Sequence, residues 1–367
     1  MTSRRMRSPL RPLLPLVVPL ALLLAACRDD LPASTLNPAG PQAREIDNLF
    51  RPVFWIAVGV FVVVEALIVF AVFRFRRRPG DAANPVQVHG NTRLEIIWTA
   101  IPAIILAVIA VPTVRTIFAL AETPEDPNLV NVRVIGHQWW WEFQYPELGI
   151  VTANEIHLPV DQPVHLEMTS EEPAASGVDK NAIPVAHSFW IPRLAGKQDV
   201  LPGRTTRMTI QAEDPGIYLG QCAEFCGLSH ANMRLRAIAH TEQDFDAWVR
   251  SMRSPAPEPA EGTLEAEGAE LFQRFVTPEY PDGFSCLACH TVDGTVGDQV
   301  GPNLARYGER ETLGAGVFDN TEANLRRWLR DPRAMKPGVV MPDYGLSEEQ
   351  IDALVAYLMS LGAEDGQ

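Results

Sequence analysis

Two stretches decide the architecture before anything else is read. Val53–Phe73 is apolar except for Glu65, and Ile96–Leu120 has Thr99, Thr113, Arg115 and Thr116 as its polar members. A helix needs about 20 apolar residues to cross the hydrocarbon of a bilayer, and both stretches are long enough. The connection between them carries Arg74, Arg76, Arg77 and Arg78, with Arg93 just before the second stretch. Basic loops stay cytoplasmic, so the pattern predicts a two-helix transmembrane hairpin with both the amino end and the long carboxy-terminal part outside. Pro102 and Pro112 are expected to kink the second span, or to sit where neighbours satisfy the freed carbonyls. A carboxylate within a span marks function by default, yet nothing gives Glu65 a role. Glu95, at the cytoplasmic start of the second span, reads from position alone as a solvated helix-end residue favoured by the helix dipole.

The amino terminus is a targeting segment. Arg4, Arg5, Arg7 and Arg11 precede an apolar run from Leu13 to Ala26, the layout of a secretory signal over residues 1–26. Leu24-Ala25-Ala26-Cys27 resembles a bacterial lipobox, in which Cys27 becomes the lipidated first residue of the mature chain. The other reading is a signal peptide with a bystander cysteine, whose thiol would invite oxidation outside the cell. Residues 27–122 then form an amino-terminal segment and the hairpin, with spans at about 53–73 and 96–120. The 367 residues allow two or three domains, and 47% apolar side chains exclude a disordered chain. A net charge of −14 argues against nucleic acid as a partner. Five cysteines are too few for a disulfide-stapled scaffold.

Over residues 123–252 the pattern changes to period two. Val130, Val132 and Val134 alternate with Asn131, Arg133 and Ile135; Val164, Leu166 and Met168 with His165, Glu167 and Thr169; Met233, Leu235, Ala237 and Ala239 with Arg234, Arg236 and Ile238. Short alternating runs between Pro, Gly and Asp turns predict a β-sandwich. A closing helix follows, with Thr241 as cap and Phe245, Trp248, Val249 and Met252 on one face. The chemistry is concentrated in Cys222, Glu224, Cys226, His230 and Met233, with a second imidazole upstream at His187. Thiolate and thioether are soft donors that suit copper, and His₂Cys with a weak Met is an electron-transfer copper set. Two cysteines can bridge two copper ions, leaving each metal one imidazole and one weaker ligand. A Cys₂His₂ zinc site uses the same residues without needing Met233, and a Cys222–Cys226 disulfide is a third possibility outside the cytoplasm.

Residues 253–262 are Pro-rich and read as a semi-stiff linker. Residues 263–367 make a small helical domain marked by Cys286-Leu287-Ala288-Cys289-His290, the attachment signature of c-type haem, with His290 as proximal ligand. A thioredoxin-like C-x-x-C is the alternative, but no βαβ pattern surrounds it. A methionine is expected as the sixth ligand, Met335 or Met341. Met341-Pro342 resembles the ligand segment of small cytochromes c, which selects Met341, and Gly301-Pro302-Asn303-Leu304 resembles the segment whose carbonyl, here that of Pro302, fixes the proximal ring. Leu264–Phe275 and Ser347–Leu361 are expected to cross, with Gly268, Phe272, Leu354, Tyr357 and Leu358 at the contact. The resemblance implies an all-α class I cytochrome c domain.

From Thr92 to Trp248 the chain resembles subunit II of haem–copper cytochrome c oxidases, the subunit carrying the dinuclear CuA centre. The matching motifs are Leu94-Glu95-Ile96-Ile97-Trp98-Thr99, Gly136-His137-Gln138-Trp139, His187-Ser188-Phe189, Asp199-Val200-Leu201-Pro202-Gly203-Arg204 and the Cys222–Met233 loop, in that order. The resemblance implies a cupredoxin-like sandwich in which Cys222 and Cys226 bridge the coppers and His187 and His230 end the set. Met233 and the Glu224 backbone carbonyl complete the shells. It also implies magnesium held by the Glu224 carboxylate, with Asp199 nearby, at the border with subunit I. Glu95 would stand at the mouth of a proton path, and Trp139 would be the surface aromatic through which electrons enter. Trp140 stands where the family usually has tyrosine, and the stretch from Glu171 to Ala186 is longer than in shorter members.

Fusion to a cytochrome c resembles the caa-type oxidases, bound to the bacterial inner membrane with both external domains periplasmic. It implies electron flow from an external donor to haem c, then to CuA, then to subunit I. There oxygen is reduced to water and protons are pumped, and subunit III is a further expected partner. From Thr263 onward 18 acidic residues face 8 basic ones, so the donor is expected to be a basic protein such as a cytochrome c. Two other readings use the same residues. One is a CuA-containing nitric oxide reductase small subunit, disfavoured by Glu95, Asp199 and the second span. The other is a membrane-anchored copper or redox relay protein without subunit I. A quinol-oxidase subunit is disfavoured because that type lacks the copper ligands.

Overall fold

The computed structural model describes residues 31–78, 80, 90–171, 184–256, 258–294 and 300–362. The signal segment 1–26, Cys27 and most of the 171–186 stretch lie outside these residues.

Helices α1 (Pro41–Arg74) and α2 (Thr92–Ala121) are the two apolar stretches, and nothing else in the described residues covers their most apolar windows. Helix α1 begins well ahead of the expected span at Val53. The reason is that its first turn is tied to the external sandwich: Ala39 N–H donates to the Arg193 carbonyl at 2.7 Å and Ala43 N–H to that of Leu194 at 3.1 Å. Pro41 at the first helical position starts it with a preset φ. In α2, Asn91 caps by accepting from the Arg93 and Leu94 N–H groups at 3.1 and 3.3 Å. The helix stays continuous through Pro102 and Pro112.

Ten strands follow: β1 (Val130–His137), β2 (Trp140–Tyr145), β3 (Ile150–Ala153), β4 (Glu155–Pro159), β5 (Val164–Ser170), β6 (His187–Trp190), β7 (Gln198–Val200), β8 (Thr206–Ile210), β9 (Gly216–Cys222) and β10 (Arg234–His240). They form two five-stranded sheets, β3-β2-β1-β5-β8 and β4-β10-β9-β6-β7. Apolar side chains of both sheets, from Val132 and Val134 to Leu235 and Ala237, fill one core. Alternation holds in β10, where Leu235, Ala237 and Ala239 are buried between Arg234 and Arg236. In β5 it is incomplete, because His165 is buried as well. Met233, read from sequence as a strand residue, lies just outside β10 and closes the preceding loop. Thr241 caps α3 (Glu242–Arg253), whose Phe245, Val249 and Met252 are buried.

The carboxy-terminal part contains α4 (Leu264–Gln273), α5 (Glu322–Arg330), α6 (Pro332–Met335) and α7 (Glu348–Ser360). Ser347 and Gln350 form a reciprocal cap on α7. Helices α4 and α7 cross where expected: a Cβ on Gly268 would lie 2.0 Å from the Ala353 carbonyl oxygen, so only glycine permits this approach. Phe272 and Tyr357 meet there with ring centroids 5.6 Å apart. A two-residue hairpin, β11 (Thr312–Leu313) with β12 (Phe318–Asp319), is added to the helices.

Candidate copper centre and haem cavity

The ladder between β6 and β9 pairs Phe189 with Cys222, which brings His187 beside the end of β9. Two backbone bonds then pin the loop that follows: Cys222 N–H to the Met233 carbonyl at 2.9 Å, and Ala223 N–H to the Ser188 carbonyl at 2.8 Å. The loop therefore leaves and rejoins the sheet at fixed points, with its donors turned inward. Cys222 Sγ lies 3.8 Å from Cys226 Sγ. His187 Nδ1 faces Cys222 Sγ at 3.8 Å, and His230 Nδ1 faces Cys226 Sγ at 3.6 Å. Met233 Sδ is 3.8 Å from Cys226 Sγ, and the Glu224 carbonyl oxygen is 3.2 Å from Cys222 Sγ.

This arrangement discriminates between the three sequence readings. Both sulfurs are free and too far apart to be bonded. Each sulfur has its own imidazole and its own weaker donor, a thioether on one side and a carbonyl on the other. A single tetrahedral zinc needs neither weaker donor, whereas two soft ions sharing two thiolates need both. His187, Cys222, Cys226 and Met233 are nearly or wholly inaccessible to water, and His230 is half-buried. Hydrogen bonding between the two thiols, aided by His187, holds Cys222 far below the usual thiol range, and the same bond with burial drives Cys226 above it. Among the described residues, His187, Cys222 and Cys226 form the one cluster of three or more metal-type donors, and Glu224 and Asp199 are exposed outside it.

The second site is a cavity of about 1440 Å³ bounded by Cys286, Cys289, His290 and Met341. His290 Nδ1 bonds the Pro302 carbonyl at 2.8 Å, which leaves Nε2 as the ring's lone-pair nitrogen. Burial lowers the His290 pKa, keeping the imidazole neutral as an iron ligand requires. Burial also pushes the Cys286 thiol up to about 12 and raises Cys289. Such thiols are poor redox nucleophiles, which speaks against the thioredoxin-like reading. Met341 lines the cavity, and Met335 is not among the residues that do. Aromatic walls from Tyr280, Phe284 and Tyr344 suit a flat porphyrin.

Trp139 is not the surface aromatic expected from sequence. It is half-buried between the two sites, lining the haem cavity while its indole N–H donates to the Cys226 carbonyl at 3.0 Å. The docked carboxy-terminal domain covers it. Gln138 Nε2 donates to the same carbonyl at 2.7 Å, a contact that sequence reasoning missed. Gly136 was likewise legible only as part of a motif: a Cβ there would fall 2.9 Å from the His187 ring. Glu95 stands exposed in the first turn of α2, and Glu65 is exposed on α1.

Comparison with known proteins agrees with this picture over most of the chain. Three family profiles match in order: Cytochrome C oxidase subunit II, transmembrane domain, over residues 34–116; Cytochrome C oxidase subunit II, periplasmic domain, over 130–239; and Cytochrome c over 265–362. The chain is 41% identical over 348 residues to cytochrome c oxidase subunit 2 of Alkalihalophilus pseudofirmus, covering 93% of this chain and 94% of that one. It is 39% identical over 364 residues to cytochrome c oxidase subunit 2 of Bacillus sp. strain PS3, covering 94% and 96%. The crystal structure of the periplasmic domain of subunit II of cytochrome oxidase of Bradyrhizobium japonicum is 25% identical, covers 35% of this chain and 96% of that one, and has a TM-score of 0.31. With two membrane-type helices, a sandwich holding a soft-donor loop and a cytochrome c domain in one polypeptide, the chain belongs to the cytochrome c oxidase subunit 2 family, in the form that carries a carboxy-terminal cytochrome c.

Proposed function

We propose that this chain is the electron-entry subunit of a caa-type oxidase, accepting electrons from an external protein at haem c and delivering them by way of CuA to subunit I for oxygen reduction coupled to proton pumping. Membership of the family makes it a membrane-anchored part of an oxidoreductase with subunit I as partner, and implies copper and haem c. The observation that carries the finer reading is Trp139, which touches the copper loop through Cys226 and the haem cavity through its ring.

His187, Cys222, Cys226, His230, Met233 and the Glu224 carbonyl would hold two copper ions. Cys286 and Cys289 would carry the haem through thioether bonds, with His290 and Met341 on its iron and Pro302 fixing the His290 tautomer. Bound there, these groups take up and release single electrons, the methionine raising the haem potential. The chain's contribution is rigidity and dryness. The loop is pinned at Cys222 and Ala223 by strand bonds, and His187 is packed beneath Trp141 with ring centroids 5.8 Å apart. Donors held in this way need little rearrangement when charge changes.

Phe225, 76% exposed beside the copper donors, supports a partner surface at the loop tip. The exposure of Glu224 and Asp199 is compatible with a magnesium site completed by subunit I. Glu95 is assigned to a proton path, and Cys27 to a lipid anchor. The basic residues between α1 and α2 support a periplasmic placing of both external domains. The acidity of the haem domain supports a basic donor, and subunit III is a further partner. Cys222→Ser tests the assignment. It should abolish the near-infrared absorbance of the copper pair and slow turnover while the donor still reduces the haem; normal turnover would refute it.

A further inference from the structure

The haem domain is joined to the sandwich by the semi-stiff Pro-rich linker, which sets a spacing but does not by itself seat one domain on the other. The contact between the two domains contains a pair of charges that are each buried in the other's territory. Glu155, on β4 of the sandwich and 2% exposed, reaches the haem domain's hairpin. Its carboxylate accepts from the Thr312 N–H at 2.8 Å, the Thr312 hydroxyl at 2.7 Å and the Glu311 N–H at 3.3 Å. In the opposite direction Lys336, five residues before Met341 and 3% exposed, donates to the Trp139 carbonyl at 2.6 Å and to the Gly314 carbonyl at 3.1 Å. Next to it, the Ser229 hydroxyl of the copper loop donates to the Pro337 carbonyl at 2.5 Å.

Burying a charge is costly unless its hydrogen bonds are made. Both groups show that strain: burial raises Glu155, and burial lowers Lys336 to about 7. Glu155 is nevertheless supplied with donors from across the contact, Lys336 with one carbonyl from across it and one from its own domain, and Arg310 lies close enough to Glu155 to offset its charge. Surface charges serving only solubility would have stayed in water.

We propose that Glu155 and Lys336 form a reciprocal latch that fixes the haem domain on the copper loop and makes them positioning residues for electron transfer between the two. The segment from Lys336 to Met341 then runs in one piece from the Trp139 backbone to the haem's sixth ligand. The role in transfer rests on the function proposed above; the mechanical role of the latch does not. A latched domain also covers Trp139, so an external donor must meet the haem by another face.

The test uses the full-length chain in detergent, with Lys336→Met and Glu155→Ala made singly and together. Lys336→Met takes the lysine donor from two partly buried carbonyls, and Glu155→Ala leaves three donors without their carboxylate acceptor. The first readout is hydrogen exchange at the Thr312 amide and at the Arg234 amide, which donates to the Ala315 carbonyl across the contact at 3.0 Å, together with protease cleavage in residues 254–262. Each variant should open the contact roughly tenfold more often. The second readout is internal electron transfer after flash reduction of the haem, which should slow by a similar factor while donor reduction of the haem is unchanged. Glu155→Gln, which keeps an acceptor for Thr312, should recover part of both. Unchanged exchange and cleavage in the double variant would overturn the latch. Faster exchange with unchanged transfer would overturn the positioning role. Absent copper bands in the unsubstituted chain would count against the proposed function instead, with exchange still deciding the latch.

Discussion

One methyl group added at Gly136 should loosen copper from its loop. The added Cβ would sit 2.9 Å from His187 Cδ2 and 3.3 Å from both His187 Cγ and Trp141 Cζ3, where ordinary contact begins at 3.4 Å. The imidazole must therefore give by about 0.5 Å, as carbon contacts require. His187 is wholly buried, flanked by Trp141, and its Nδ1 faces the Cys222 sulfur at 3.8 Å, so a displaced ring disturbs the donor geometry. Overpacking of this kind costs about 1–3 kcal/mol. If the metal-bound form bears that cost, Gly136→Ala weakens copper affinity by about 5- to 150-fold. The assay is copper retained per chain against rising chelator, read by metal content and near-infrared absorbance. Gly59→Ala on α1, where nothing lies within 4 Å of the new carbon, is the control. An unchanged chelator midpoint and spectrum in Gly136→Ala would refute the packing argument.

Three further outcomes follow from the same geometry. Met341→Leu should remove the thioether signature of the haem and lower its potential, while Met335→Leu should leave the spectrum intact; the reverse result would exchange the two assignments. Gly268→Val should force α4 off α7 and lower the melting temperature of the haem domain by roughly 10 °C at about 2 kcal/mol of overpacking, and an unchanged melting curve would contradict the crossing. The third concerns pH. Burial lowers both His157 and His240, whose rings meet at 2.8 Å, so the unfolded chain binds more protons than the folded one below their ordinary pKa of 6.5. Their stabilisation is thus present above about pH 6.5 and lost on acidification, by at most about 1.4 kcal/mol per pH unit for each ring. Urea midpoints of the sandwich should fall between pH 7.5 and 5.5, and a flat response would remove the claim.

Much of this molecule was legible because its signals are local. The apolar spans, the alternation in β10, the caps at Thr241 and Ser347, and the tolerance for only glycine at Gly268 depend on neighbours near in sequence or on one helix crossing. The donor loop was legible because four of its ligand types lie within one short segment. What escaped was set by docking. Lys336 and Glu155 carry no local signal of their burial, which exists only where the two domains meet, and Trp139 read as exposed for the same reason. The sole hint was a lysine flanked by Met335 and Pro337 in a domain where acidic residues prevail. Helix α1 also began earlier than hydropathy implied, because its first turn is held by the sandwich rather than by lipid.

Counting what the purified, unsubstituted chain holds bears most heavily on this account. Metal analysis with intact-protein mass should find two copper atoms and one porphyrin bonded to Cys286 and Cys289, with near-infrared absorbance that disappears on reduction. One zinc atom, or a mass two hydrogens short from a Cys222–Cys226 bond, would contradict it.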